Sequence, residues 1–142
     1  MARTANAEWR GNLQEGEGTM ALGSGAWEGP FTFESRFEDG AGSNPEELIG
    51  AAQAGCFTMQ LSHDLSEAGH VPELVHTDAR VSIRNIDGAP TIARIALTTR
   101  ARVPGIDAET LQRTAEATRE NCIISRALGA VGEITVETTL ES

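Results

Sequence analysis

The sequence predicts an α+β fold, with helices packed on a mainly antiparallel sheet. Three features point there. Glycines break the N-terminal quarter into short strand-like pieces, a sharply capped segment of small residues begins after Ser43, and two long runs beyond Leu74 alternate apolar with polar residues.

Between the early glycines lie strand-like runs at 5–10, 19–22 and 30–37. In the last, Phe31, Phe33 and Ser35 share one face and Thr32, Glu34 and Arg36 the other, the alternation of a half-buried strand. A helix then starts at Ser43-Asn44-Pro45-Glu46-Glu47. Asn44 can cap the free N–H groups, Pro45 suits the first helical position, and Glu47 has capping-box spacing. Both glutamates sit at the positive end of the helix dipole. The helix is expected over 48–67, ending at Ala68-Gly69. Its middle, residues 50–57, is almost uncharged and built of small residues, which predicts a helix buried on most sides.

Strands are expected at 75–84 and 91–103, joined as a hairpin through Asn85-Ile86-Asp87-Gly88. Val75, Thr77, Ala79, Val81 and Ile83 form the inward set of the first. Ala93, Ile95, Leu97, Thr99, Ala101 and Val103 form that of the second. A second helix follows from its cap Asp107 to about Glu120, then a short helical piece over 123–128, then a strand over 132–140. The order is thus β-meander, buried helix, hairpin, helix, strand.

At 142 residues and 15.1 kDa the chain is expected to form one domain, residues 1–142, with a core that needs no disulfide or metal staple. A net charge of −10 argues against nucleic acid and anionic membrane surfaces as partners. The longest apolar stretches fall short of the ~18 residues a membrane span needs, and the first residues lack the apolar core of a signal peptide. A soluble, cytoplasmic protein is expected. Its two cysteines, Cys56 and Cys122, are too few for a disulfide scaffold or a four-ligand zinc site. In a reducing compartment they are either packing residues or redox groups.

Cys56 falls on the same side of its helix as Ile49, Ala52 and Met59, and a packed cysteine is the ordinary reading of such a position. Cys122 sits at a break between two helical pieces, where a side chain is expected to be more exposed and mobile. The separation of 66 residues is no CxxC motif, so only the fold could pair them. Arg36 is either a solvated strand charge or a cation that favours a thiolate. Glu46 either compensates the helix dipole or, through a long arginine, communicates with the thiol. His63 is seven residues, about two turns, beyond Cys56 on the same face, about 10 Å along the helix and out of hydrogen-bond reach. No metal-ligand spacing or phosphate-binding loop is present, so no metal or other cofactor is expected. An inert module binding a small hydrophobic ligand and a Cys–His hydrolase remain open on these residues alone.

The motifs Arg36-Phe37-Glu38, Asn44-Pro45-Glu46-Glu47-Leu48-Ile49-Gly50-Ala51-Ala52 and Cys56-Phe57 resemble the first active-site segment of the OsmC/Ohr peroxidase family. Val103-Pro104-Gly105-Ile106-Asp107-Ala108 and the segment holding Cys122 and Ser125 resemble its second half. Ile123 stands where the family commonly has proline. The resemblance implies an intertwined homodimer, with sheets wrapped around central helices. It implies reduction of organic hydroperoxides to alcohols, with Cys56 as peroxidatic nucleophile and Cys122 as resolving thiol. Arg36 would hold the thiolate and polarise the peroxide, and Glu46 would orient Arg36. An external dithiol of dihydrolipoyl type would reduce the disulfide. Ile49, Phe57 and Met59 would supply an apolar lining for the substrate.

Overall fold

The computed structural model describes residues 1–142. It contains two compact units, Met1–Leu48 and Ile49–Ser142.

The first unit carries an antiparallel sheet of β1 (Ala5–Arg10), β2 (Glu17–Leu22) and β3 (Glu28–Phe31), in the order β1-β2-β3. Trp9, Gly18 and Phe31 are opposite one another across the three strands. A Cβ on Gly18 would come within 2.6 Å of the Trp9 ring and 2.7 Å of the Phe31 ring. Glycine at this point lets the two rings close to 5.2 Å between centroids.

Past Phe31 the chain departs from the strand expected over 30–37. Residues Phe33–Phe37 form a short helix, α1. Thr32 accepts from the Ser35 N–H at 3.1 Å, while the Ser35 hydroxyl accepts from the Thr32 N–H at 2.8 Å. This reciprocal cap outweighs the two-residue alternation. Phe33 and Phe37, one helical turn apart, then pack in a tilted pair with ring centroids 5.1 Å apart.

Helix α2 (Pro45–Glu67) begins at the proline and stops before Gly69, whose φ is +90°. Asn44 caps it as expected, accepting from the Glu47 N–H at 2.7 Å. Glu47 does not complete a capping box; its carboxylate instead accepts from the Ser43 hydroxyl at 2.7 Å.

In the second unit β4 (Leu74–Ile86), β5 (Ala89–Arg102) and β6 (Glu133–Glu141) form a sheet in the order β4-β5-β6. The hairpin turn is only Asp87-Gly88, with φ of 51° and 82°, so both strands run further than the sequence suggests. Two successive positive φ values suit the right-handed twist of the flanking strands. The sheet is mixed: β4 and β5 are antiparallel, but β6 pairs with β5 in parallel. The crossover through α3 (Ala108–Asn121) and α4 (Ile123–Ala127) returns the chain to the starting end of β5.

Ile95, Leu97, Thr99, Ala101 and Val103 face the core as their alternation predicts. Ile83 does not. The register shift between Ser82 and Ile83 passes over Ala93, so that Ile92 packs against the core and its partner Ile83, near the end of the hairpin, is 40% exposed.

The core of this unit joins Phe57, Leu61 and Leu65 of α2 to Leu111 and Ala115 of α3 and to the inward residues of β5 and β6. Thr118 of α3 donates to Asp64 of α2 at 2.6 Å, and Gln112 bonds both the Val136 carbonyl and the Thr138 N–H of β6. Within the chain α2 buries one ridge, Gln53, Phe57, Leu61 and Leu65, rather than most of its circumference. Ala51, Ala52, Gly55, Met59 and His63 are exposed, because the sheet and α3 cover only one side. No helix is long and apolar enough to cross a membrane.

The ridge predicts that Leu61→Ala, at a wholly buried position, lowers unfolding free energy by about 2–5 kcal/mol. Urea denaturation followed by circular dichroism checks this; a loss under about 1 kcal/mol would mean the ridge is not a close-packed core.

Candidate active site

Two clusters of chemically capable side chains stand out, one in each unit. The second unit holds the cysteines. Cys56 sits on α2 beside the buried ridge, and Cys122 forms the corner between α3 and α4. The Cys122 N–H closes α3 on the Thr118 carbonyl at 2.9 Å, and its carbonyl accepts from the Arg126 N–H at 3.0 Å to open α4. With ψ at 133° this residue interrupts the helix and turns its side chain inward. The two sulfurs lie 2.8 Å apart, both as free thiols.

Their surroundings differ. Cys56 is half-buried, whereas Cys122 has no exposed surface. Sequence predicts the opposite for Cys122, since a helix break is normally accessible. Here the corner is packed against α2, where Gln53 reaches Ser125 Oγ at 2.8 Å and Cys122 Sγ at 4.0 Å. Sequence gives Gln53 no role, and Ser125 enters only as part of the segment that resembles the family's second half. The available signal was an uncharged polar side chain amid small residues, three positions before Cys56 on the same helix face.

Burial pushes the Cys56 thiol up, and its hydrogen bond to Cys122 adds to the rise. Burial also opposes ionisation of Cys122. There, however, the hydrogen bond shared with Cys56, together with those from the Ser125 and Ile124 N–H groups and the Ser125 hydroxyl, outweighs it, and the thiol lies below its ordinary value. The sulfurs thus form a pair that gives up one proton early and holds the other late.

The first unit holds the ion pair. Arg36 on α1 reaches Glu46 in the first turn of α2, with Nη2 at 2.8 Å and Nε at 3.1 Å from Oε1. Glu46 is mostly covered, and Arg36 is 38% exposed. Asn44 Nδ2 donates to the Ser35 carbonyl at 3.0 Å and the Ser35 hydroxyl to the Ser43 carbonyl at 2.8 Å, which fixes α1 against the start of α2. Arg36 therefore projects from a helix, not from the strand face its alternation suggests. Beside it Trp9, Leu13, Phe31, Phe33 and Phe37 line an apolar depression of about 370 Å³.

The residues expected to line a substrate pocket do not share one. Phe57 is fully enclosed in the core, so it supports α2 from beneath. Ile49 packs against that core. Met59 is 77% exposed and borders a separate, open cavity of about 590 Å³ with Ala54, Gly55, Thr58 and Val75. His63 lies on the exposed side of α2. No group of three or more His, Cys, Asp or Glu side chains is placed to hold a metal ion.

The family model for OsmC-like protein matches residues 38–139. The chain is also 42% identical over 141 residues to the peroxiredoxin OsmC of Escherichia coli strain K12, covering 99% of this chain and 97% of that protein. The chain belongs to the OsmC/Ohr family. The same identity and coverage hold for the peroxiredoxin OsmC of Shigella flexneri. Among solved structures, an OsmC-like protein of unknown function from Vibrio cholerae O1 matches with a TM-score of 0.77 at 15% identity, covering 98% of this chain and 99% of that one. The organic hydroperoxide resistance protein OhrB of Bacillus subtilis matches with a TM-score of 0.68 at 24% identity, covering 97% and 98%. At such identities the likeness is one of fold, and the α+β architecture of the family is that of this chain.

The coupled thiols predict two separated ionisations. Thiolate absorbance near 240 nm should rise in one step below the ordinary thiol range and in a second step above it. In Cys122→Ser, Cys56 should ionise at lower pH than the later native step, because the partner that raised it is gone. A single native step near the ordinary thiol value would contradict the coupling.

Proposed function

We propose that this chain is a thiol-dependent peroxidase that reduces organic hydroperoxides to alcohols, with Cys56 as nucleophile and Cys122 as resolving thiol. The observation that carries the proposal is a pair of free sulfurs 2.8 Å apart with unequal access. A peroxide arriving from solvent can meet the half-buried Cys56; the sealed Cys122 can meet only Cys56. A disulfide bond of about 2.05 Å is within a small movement of this separation.

The chemistry balances with these two groups and an external dithiol. Cys56 passes its proton to the Cys122 sulfur beside it and attacks one peroxide oxygen; the O–O bond breaks, and the alkoxide takes up that proton to leave as alcohol, which restores the Cys122 thiolate. Cys56 is now a sulfenic acid. The Cys122 thiolate attacks that sulfur, hydroxide leaves and is protonated to water, and a Cys56–Cys122 disulfide forms. Two thiol–disulfide exchanges with a dithiol, for which we propose a dihydrolipoyl type, restore both thiols.

Family membership supports assigning Arg36 to polarise the peroxide and Glu46 to hold Arg36, an assignment that the two-point ion pair suits. Ile49 and Met59 are proposed to offer apolar surface to the substrate, with Phe57 supporting them from the core. The exposed small-residue side of α2 fits the intertwined homodimer proposed for this chain, with residues 1–142 as one OsmC-like domain in each subunit. The proposed setting is a reducing one such as the cytoplasm, where both cysteines stay free until oxidised.

One equivalent of cumene hydroperoxide should remove both thiols, lower the intact mass by about two hydrogens and yield a Cys56–Cys122 peptide on digestion. Cys56→Ser should consume no peroxide. Cys122→Ser should undergo one oxidation and then stall, without lipoyl-dependent turnover. Two unreacted native thiols at unchanged mass would exclude the peroxidase and favour a module that only binds a small hydrophobic ligand.

A further inference from the structure

Next to the cysteines lies a buried polar pair that these steps leave without a role. Gln53 has no exposed surface and Ser125 only 8%, yet both keep their polar groups within the apolar junction of α2 and α4. The Gln53 amide donates to Ser125 Oγ at 2.8 Å and lies 4.0 Å from Cys122 Sγ. Its own carbonyl oxygen, Oε1, is buried with no hydrogen-bond partner. The side chain thus turns its N–H groups toward the hydroxyl and the sulfur and leaves its acceptor idle. Donors, and not the acceptor, are therefore what this buried amide presents to the hydroxyl and the sulfur, and donors are what a buried anion needs.

Resting on the peroxidase reading, we infer that Gln53 and Ser125 are positioning residues that hold Cys122 as a thiolate for the resolving attack. A serine hydroxyl has one proton to donate. Because Ser125 Oγ accepts from Gln53, its proton is left free for Cys122 Sγ. The chain of donors then runs from Gln53 through Ser125 to the sulfur.

The need for such a chain arises within the catalytic cycle. In the reduced protein Cys122 shares a proton with Cys56. Once Cys56 is a sulfenic acid, it no longer has a thiol proton to share. A fully enclosed sulfur must then carry its charge by other means, since a buried anion without donors would take up a proton instead. Facing Cys122 are Cys56 and Gln53 from α2 and Ser125 from α4, together with the N–H groups of Ile124 and Ser125. Of these only Cys56 titrates and none is a cation, so the charge rests on hydrogen bonds. The reaction requires no additional reagent: Cys122 S⁻ displaces hydroxide from the sulfenic sulfur, as above.

The test is single-turnover kinetics with cumene hydroperoxide, following sulfenic acid by dimedone trapping and mass spectrometry and disulfide by non-reducing peptide mapping. Gln53→Leu keeps the side-chain size and removes the donors; Ser125→Ala removes the hydroxyl. Near neutral pH each should still form the sulfenic acid but convert it to disulfide about tenfold more slowly. The rate should recover at alkaline pH, with its midpoint displaced upward by about one unit. Ser125→Thr, which keeps the hydroxyl, should restore the native profile. Native resolution rates and midpoints in both variants would overturn the inference. Slowed resolution that alkaline pH does not relieve would overturn it as well, since a packing defect has no reason to titrate. Should Gln53→Leu fail to fold by circular dichroism, Ser125→Ala and Ser125→Thr decide alone. A native protein that forms no disulfide at all would fail the peroxidase reading itself, and the inference with it.

Discussion

The rotation of α2 about its own axis governs the cysteine site. Gln53, Phe57, Leu61 and Leu65 recur every fourth residue and enter the core of the second unit together. That ridge fixes which way every other residue of the helix faces. Cys56, one residue before Phe57 and so roughly 100° around the helix, is held at the border between core and outer face. There it can meet the buried corner at Cys122 without being sealed in itself. A rotation of one residue would either bury Cys56 or carry it away from Cys122.

The corner at Cys122 is the second constraint. A continuous helix through residues 108–127 would carry this side chain on around the helix, whereas the extended ψ separates α3 from α4 and directs the sulfur toward α2. The backbone loses little by the interruption, because the Cys122 N–H still closes α3 and its carbonyl still opens α4. Ile123, at the position where the resemblance leads one to expect proline, takes the first place of α4 and is 65% exposed. The corner therefore forms without the fixed φ that proline would supply.

In the first unit a similar economy of local bonds positions a charge. The Thr32–Ser35 cap forms α1, and Ser35 and Asn44 tie α1 to the start of α2. Arg36 then meets Glu46 through two nitrogens. A guanidinium fixed at two points beside an aromatic depression is a directed donor, whereas a free surface arginine would sample many orientations. Both clusters thus use the same device: short helices and caps bring residues of modest individual reactivity into defined geometry.

Much of this was legible in the sequence. The Asn44-Pro45 start and Gly69 end of α2, the Asp107 cap of α3, and the alternation of β4, β5 and β6 depend on neighbours within a few residues, and local patterns record such neighbours directly. Arg36, Glu46, Cys56 and Cys122 were singled out as candidates because their motifs resemble a family; periodicity alone left each of them with an ordinary structural alternative. Tertiary structure decided the rest. A reciprocal cap converted an alternating run into α1, a bulge put Ile92 against the core beside the expected inward set, and the crossover made β6 parallel to β5. The burial of Cys122 and the pairing of Gln53 with Ser125 depend on distant residues. Their partners lie 66 and 72 residues away in sequence, and only the packing of α4 against α2 brings them within bonding distance.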